Sequence, residues 1–365
     1  MSKIVIDGRE WNTSTGRYVS SLVRCLEKID VANQYDILLK PGDVDGWQPA
    51  NANFHKATCA YKEFTFAEQL GFKRQLDKSR ADLVHFPITQ QPIRYRGKVV
   101  TTINDLTTVR FNNPSKNRLV FWVKQRVYAW VTRRVASKSA ALITYSQFVK
   151  DDIVKYARIS PEKVSVIPLA ADLIKDRPEP LPALIDKKFI VYVGRPTPHK
   201  NLERLIEAFI KLKASHPEII LVLAGKKDAN YRRIESEVRQ RTIKNVVFTD
   251  FVTEGRLRWL YENCSAYVFP SLSEGFGLPG LEAMVHGAPV VSSNATCLPE
   301  VYGDAARYFD PTDIQAMSDA INEVLSDKDL RLSLIKKGHD RAAQYSWRRA
   351  AEQTLAVYNR VLANG

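Results

Sequence analysis

No stretch of this sequence approaches the roughly 18 consecutive apolar residues that a bilayer-spanning helix needs, so a helical membrane protein is not expected. Cysteine is scarce. The four residues Cys25, Cys59, Cys264 and Cys297 are widely spaced and form no CxxC pair, so neither a disulfide framework nor a zinc site is indicated. A reducing, cytoplasmic setting is the expectation. The histidines His55, His85, His199, His216, His286 and His339 are scattered without metal-ligand spacing. Low-complexity tracts and repeats of fixed period are absent. The opening MSKIVIDGRE reaches Asp7 after a short apolar run, so no signal-peptide core is expected there.

What is present is a globular composition, 45% hydrophobic and 26% charged, over 365 residues, a length suited to two domains. The net charge of +14 is unevenly placed. Residues 1–175 hold 28 Lys+Arg against 16 Asp+Glu, a balance of +12; the remainder holds 26 against 24, a balance of +2. The first half is therefore expected to meet something anionic over a broad surface.

Short apolar runs punctuate the first half: Lys3 to Asp7, Tyr35 to Leu39, Asp82 to Phe86, Val99 to Ile103, Ala141 to Tyr145 and Val164 to Pro168. Helical stretches at Gly16 to Ile29, Ser115 to Ser137 and Ser146 to Ala157 separate several of them, which predicts a parallel sheet flanked by helices. Periodicity stops between Ala170 and Asp186, where three prolines mark a linker. It restarts with Phe189 to Gly194, Ile219 to Gly225, Val246 to Asp250, Ala266 to Pro270 and Pro289 to Ser293. Two doubly wound Rossmann-like α/β domains follow, 1–170 and 187–346 with 171–186 between them, facing across a cleft with ligand at the carboxyl ends of the strands. A last helix, Trp347 to Ala363, is expected to pack back on the first domain.

The densest chemistry lies in SLSEGFGLPGLEAMVHGAPVV, Ser271 to Val291. A buried strand runs into a glycine-rich turn and then a helix, leaving unpaired N–H groups at the helix start that suit a diphosphate. Glu274 and Glu282 flank that turn. Carboxylates repel phosphate but accept hydrogen bonds from hydroxyls, so a polyhydroxylated ligand carrying phosphate, a nucleotide sugar, satisfies both. Upstream, Arg195 and Lys200 leave the end of FIVYVG in RPTPHKN, where cations reach a phosphate. His199 sits between them and is expected to assist. A solvated loop with capping cations is the plainer reading of this segment, as a first-turn acid is for Glu282.

VGRPTPHKNLERLIEAF, the Glu274-x7-Glu282 block and SSNATCLPEVYGDAARYFDP together resemble the family 4 retaining glycosyltransferases of GT-B fold. In the first half, IDGRE with STGRYVSSLVRCL, VVTTINDLT and ALITYSQFVKDDI are similar to segments of bacterial polysaccharide mannosyltransferases. The resemblance implies transfer of a hexose, mannose by preference, from GDP-mannose or a UDP-sugar to a saccharide or lipid-linked saccharide acceptor, without metal or other cofactor. It implies that Arg195 and Lys200 hold the diphosphate and that Glu274 accepts from donor-sugar hydroxyls. The backbone of Gly275, Phe276, Gly277 and Leu278 would then lie close to sugar and phosphate. Glu282 is implied on the ribose, Phe251 and Val252 near the base, and Gly16 where the backbone approaches phosphate or acceptor, although a plain turn explains that glycine equally well.

One departure stands out. Many relatives have His before Asp where this chain reads TINDL, with Asn104 followed by Asp105. Asn donates a hydrogen bond but does not titrate near neutral pH, so the position is expected to orient the sugar rather than move a proton. His85 is read as a strand terminus facing the cleft, with a core position as the alternative. Asp43-Val44-Asp45 has a metal-binding spacing, but Pro41-Gly42 before it and Gly46 after it make a polar turn the better reading.

In PSKNRLVFWVKQRVYAWVTRRVASKS, helical spacing gathers Leu119, Val120, Val123, Val127, Trp130 and Val131 on one apolar face. Arg118, Trp122 and Arg126 follow at i, i+4 and i+8, with Arg133 beside them. Trp among arginines suits an anionic lipid surface, so peripheral attachment to the inner face of the plasma membrane is expected. An ordinary surface helix is the competing reading.

Other functions fit less well. An epimerase or phosphorylase would share the architecture, and the latter would need a pyridoxal phosphate lysine motif that is not seen. A nucleic-acid partner suits the charge, but no recognition signature appears. A catalytically weak or silent sugar-binding relative is suggested by Asn104.

Overall fold

The structure, a computed structural model, describes residues 1–13, 16–111 and 118–364, with the backbone alone for 118–121. The chain divides into two compact units. One comprises Met1–Val109, Val123–Leu169 and the segment from Ser346 onward; the other comprises Arg110–Trp122 and Ala170–Tyr345.

The first unit is built on a sheet of seven parallel strands, β1 (Lys3–Asp7), β2 (Gln34–Leu39), β3 (Phe54–Thr58), β4 (Leu83–Phe86), β5 (Val99–Thr102), β6 (Ala141–Thr144) and β7 (Val164–Val166), in the order β3-β2-β1-β4-β5-β6-β7. The second carries six, β8 (Phe189–Val193), β9 (Ile220–Ala224), β10 (Val246–Asp250), β11 (Ala266–Phe269), β12 (Val290–Ser293) and β13 (Ala306–Phe309), ordered β10-β9-β8-β11-β12-β13 and again parallel. Each unit is thus a doubly wound, all-parallel sheet. Every residue of β4, β5, β6, β11 and β12 is buried, which is why these strands read as unbroken apolar runs.

β3 and β13 were not anticipated from sequence. Both are sheet edges, and their solvent-facing positions, in FHKAT and ARYF, break the apolar run that reveals a central strand.

The helix Trp347–Ala363 packs on the helix Gly16–Ile29 of the first unit. Tyr358 Oη lies 2.6 Å from His85 Nδ1, and Lys98 Nζ donates to the carbonyls of Val361 and Leu362 at 3.3 and 3.2 Å. The proline-rich stretch after Ala170 is tied to the second unit rather than free. Ile174 N–H donates to His286 Nε2 at 3.0 Å, and Arg258 donates to the carbonyls of Ile174 and Asp176. Since Nε2 accepts there, Nδ1 of His286 carries the proton and donates to Glu282 O at 2.7 Å.

Candidate functional site

In a doubly wound sheet the crevice for ligand opens where the strand order reverses. In the second unit that point lies between β8 and β11, because the chain runs outward from β8 to β10 and then returns to the other side of β8. The segment leaving β8 carries Arg195 and Lys200; the segment leaving β11 carries Glu274. Topology alone therefore brings two motifs far apart in sequence to one place.

Local contacts set their geometry. Lys200 ends a short 3-10 turn, Pro198–Lys200, and Asn201 follows in the left-handed conformation at φ 61°. Asn201 is buried, and its Nδ2 donates to the carbonyls of Pro270 at 3.0 Å and Pro311 at 2.7 Å. Leu272 N–H donates to His199 O at 2.7 Å. These bonds staple the two loops together. Lys200 Nζ then lies 2.5 Å from Glu274 Oε1 and 5.4 Å from the centre of the Phe269 ring. Thr296 Oγ1 accepts from Glu274 N–H at 3.1 Å, and Cys297 Sγ donates to Glu274 O at 3.3 Å. Arg195 is exposed, and its carbonyl accepts from Tyr192 Oη at 3.1 Å. His199 Nε2 lies 3.3 Å from Thr197 Oγ1.

Gly277, at φ +88°, turns the chain into the helix Leu278–Val285, with Pro279 in its first turn. A Cβ on Gly277 would stand 2.5 Å from Tyr302 Oη and 2.6 Å from Leu298 Cδ2, so both backbone angle and space demand glycine. Tyr302 Oη donates to Gly277 O at 2.5 Å and pins this turn. Phe276 is buried against Tyr345. Glu282 lies one turn into the helix and is 7% exposed, with Tyr261 Oη 3.5 Å from its Oε2. Phe251 is 76% exposed after β10, its N–H held by Asp250 Oδ1 at 2.7 Å, and Val252 next to it is half-buried.

In the first unit, Asn104 and Asp105 follow β5. Asn104 Oδ1 accepts from Tyr145 Oη at 3.0 Å, whereas Asp105 Oδ1 accepts from Thr107 N–H at 2.7 Å and caps the next turn. Gly16 opens its helix with no room for a side chain, since a Cβ would meet Trp11 O at 1.9 Å. The chain's own backbone therefore demands glycine there. Nearby, Arg9 is 1% exposed and chelated by Asp7 through Nε and Nη2, with Nη1 3.0 Å from Glu68 Oε1. Burial disfavours its charge, but Asp7 and Glu68 outweigh burial and raise the guanidinium's pKa. His85 does not face a crevice. It is fully buried between Thr102 Oγ1, 2.9 Å from Nε2, and Tyr358, and burial pushes its pKa down to about 3.

The basic helix spans Arg118–Lys138, and the Arg118 side chain lies outside the described residues, as do 115–117. Its buried side is Thr132, Val135 and Ala136. Of the apolar face that spacing gathers, Val123, Val127 and Trp130 are 47, 55 and 55% exposed, and Trp122 is 51% exposed. Lys124, Arg126, Arg133 and Arg134 are exposed around them. Arg133 is engaged locally, its guanidinium 4.4 Å over the Tyr156 ring.

Among the described residues no cluster of His, Cys, Asp and Glu is arranged to hold a metal. Asp43 lies in the turn Pro41–Gly46 and accepts from Asn12 Nδ2 at 2.6 Å. Sequence reasoning missed Asn201, Thr296, Tyr302 and Tyr145. Only Asn201 carried a local signal, an Asn just before a helix, since Asn tolerates the left-handed region.

Two family models match the chain, Glycosyltransferase Family 4 over residues 45–175 and Glycosyl transferases group 1 over residues 175–341. The chain is 32% identical over 291 residues to O-antigen chain mannosyltransferase B of Escherichia coli, covering 76% of this chain and 74% of that protein. The sucrose-phosphate synthase of Thermosynechococcus elongatus superposes with a TM-score of 0.80 at 20% identity, over the whole of both chains. Anabaena Alr3699/HepE in complex with UDP-glucose superposes with a TM-score of 0.74 at 14% identity, over 99% of this chain and 100% of that one.

Proposed function

The chain belongs to the family 4, group 1 glycosyltransferases, and from that premise we propose that it moves a hexose, mannose by preference, from a nucleotide-diphosphate sugar to a saccharide acceptor with retention of configuration. The mannosyltransferase named above supports mannose and a cell-surface polysaccharide as product. The UDP-glucose held by the Anabaena protein supports the donor class. The observation that carries the reading is the Lys200–Glu274 pair at the strand-order reversal, beside the Gly277 turn.

In this reading the donor's C1–O bond lengthens while negative charge builds on the leaving diphosphate. Arg195 and Lys200 meet that charge. A cation about 4 Å from a phosphate oxygen is worth on the order of 4 kcal/mol at an effective dielectric of about 20. The N-terminus of the helix Leu278–Val285 adds roughly 0.3–1 kcal/mol, so the side chains dominate. Glu274, in the loop before that helix, accepts from donor-sugar hydroxyls, and Glu282, within the helix, accepts from the ribose. Phe251, exposed after β10, offers a face to the base. The backbone of Gly275, Phe276, Gly277 and Leu278 lines the sugar and phosphates. Asn104 donates to the reacting sugar, with Asp105 beside it setting the loop. The leaving diphosphate takes the acceptor's proton, and no metal is required.

The open face of the helix Arg118–Lys138 supports a lipid-linked acceptor and peripheral attachment at an anionic membrane. Trp122, Val123, Val127 and Trp130 are apolar and exposed, basic residues surround them, and the helix contains no Asp or Glu. No helix among the described residues is long and apolar enough to cross a membrane. The test of the transferase reading is release of nucleotide diphosphate from GDP-mannose or UDP-glucose across a panel of saccharide and lipid-linked acceptors. Acceptor-dependent release with an α-linked product is expected. Nucleotide-sugar binding without turnover on any acceptor would favour a silent relative instead.

A further inference from the structure

We propose that Tyr145 is the positioning residue that turns the Asn104 carboxamide so that its NH2 group, rather than its carbonyl oxygen, is presented to the donor sugar. The inference rests on the reading that Asn104 meets that sugar. A carboxamide has a donor end and an acceptor end, and the torsion that exchanges them is soft. Left to itself, Asn104 would offer a sugar hydroxyl either end. A hydroxyl donating to Oδ1 biases the carboxamide toward presenting its NH2 group.

Tyr145 supplies that donor through the sheet's own register. β5 and β6 are parallel, with Thr102 opposite Ile143, and Ile103 N–H donates to Ile143 O at 2.9 Å. Two residues further along, the same register sets Asn104 beside Tyr145, and Tyr145 Oη donates to Asn104 Oδ1 at 3.0 Å. The tyrosine is 5% exposed, and its ring stands edge-on to Tyr18 at 5.2 Å between centroids. Tyr18 Oη in turn lies 3.0 Å from Thr102 Oγ1, which lies 2.9 Å from His85 Nε2. The hydroxyl is thus backed by a packed, buried row. Burial, then the nearby Tyr18 and Asp105, raise the Tyr145 phenol well above its ordinary value, so it keeps its proton and remains a donor throughout the neutral range. Asp105 is turned to a local task, its Oδ1 accepting from Thr107 N–H. A non-titrating Asn held in one orientation also makes this donor independent of pH, which a His at the position would not be.

Isothermal titration of GDP-mannose against GDP, and of UDP-glucose against UDP, isolates the sugar's share of binding. Tyr145→Phe keeps the ring and its contact with Tyr18 while removing the hydroxyl. The expected result is a fall of about 10-fold in the affinity for the nucleotide sugar, with that for the nucleotide alone unchanged, the usual effect of one hydrogen bond. Asn104→Asp keeps an acceptor for Tyr145 but cannot donate, so it should lose as much as Asn104→Ala. Adding Tyr145→Phe to Asn104→Ala should cost nothing further. A wild-type response to Tyr145→Phe alongside an impaired Asn104→Ala would overturn the positioning role and leave the reading of Asn104 intact. So would full sugar binding by Asn104→Asp, or equal losses from Tyr145→Phe in both backgrounds. An unimpaired Asn104→Ala, or failure of the wild type to bind any of these nucleotide sugars, would overturn the reading itself.

Discussion

Lys200 Nζ lies 2.5 Å from Glu274 Oε1, although the two residues are 74 apart in the chain. Both side chains are largely shielded, 18 and 11% exposed, so each neutralises the other where water screens poorly. A diphosphate would compete with Glu274 for the lysine and release the carboxylate to accept from hydroxyls. In the proposed reaction the pair would thereby link phosphate binding to sugar binding.

That competition has a sign. Glu274→Gln removes the carboxylate that holds Lys200, so GDP or UDP alone should bind as tightly as to the wild type or more tightly, while sugar transfer falls by on the order of 100-fold or more. Titration of the nucleotide and initial-rate measurements read the two effects separately. Weaker nucleotide binding would show that Glu274 does not restrain the lysine.

Lys200→Ala should abolish transfer, with a loss on the order of 100-fold or greater, because it removes the cation paired with Glu274 at the reversal point. The lysine ends a short 3-10 turn, so the chain should still fold, with a melting temperature lowered because Glu274 loses its counter-charge. Turnover at the wild-type rate would remove Lys200 from the machinery.

Gly277→Ala should destabilise the second unit by about 1–3 kcal/mol, from the strained positive φ and the collision with Tyr302 Oη. Tyr302→Phe, which only removes the hydrogen bond to Gly277 O, should cost about 1 kcal/mol. Urea denaturation monitored by tryptophan fluorescence measures both, and their order is the point at issue.

His85 predicts an acid weakness. Its folded pKa is held at about 3 by burial, below the roughly 6.5 of an unfolded histidine. Between those values the unfolded chain binds a proton that the folded chain refuses, so this contribution is complete above about pH 6.5 and is lost as pH falls. The slope approaches about 1.4 kcal/mol per pH unit. Denaturation curves from pH 7 to pH 4 should show it, and His85→Gln should flatten it.

The helix Arg118–Lys138 should float with vesicles containing phosphatidylglycerol and not with purely zwitterionic ones. Arg126→Glu should weaken that association by about tenfold, since each basic group near such a surface contributes about 1 kcal/mol and the substitution also adds a repelled charge. Equal recovery with both vesicle types would exclude an electrostatic surface role.

The central strands were legible because strands buried on both faces need continuous apolar sequence, as in Val99 to Thr102 or Ala266 to Phe269. The same logic hid β3 and β13, where half the side chains meet water. For the basic helix, spacing marks Val123, Val127 and Trp130 as one face without saying whether protein covers it, and the structure leaves them exposed. His85 reads from sequence as a strand terminus facing the cleft, with a core position as the alternative; Tyr358, 273 residues away in the chain, packs beside it in the core.

By itself the sequence determined the class of chemistry here, because Arg195, Lys200, Glu274 and Glu282 carry charges and donors whose use is local to each motif. Which of them meet was decided only by tertiary structure. The reversal of strand order at β8 and β11 joins Lys200 to Glu274, and the parallel register of β5 and β6 joins Asn104 to Tyr145. Neither juxtaposition exists in the chain's order. Both arise because strands distant in sequence must lie side by side to pair their backbone hydrogen bonds.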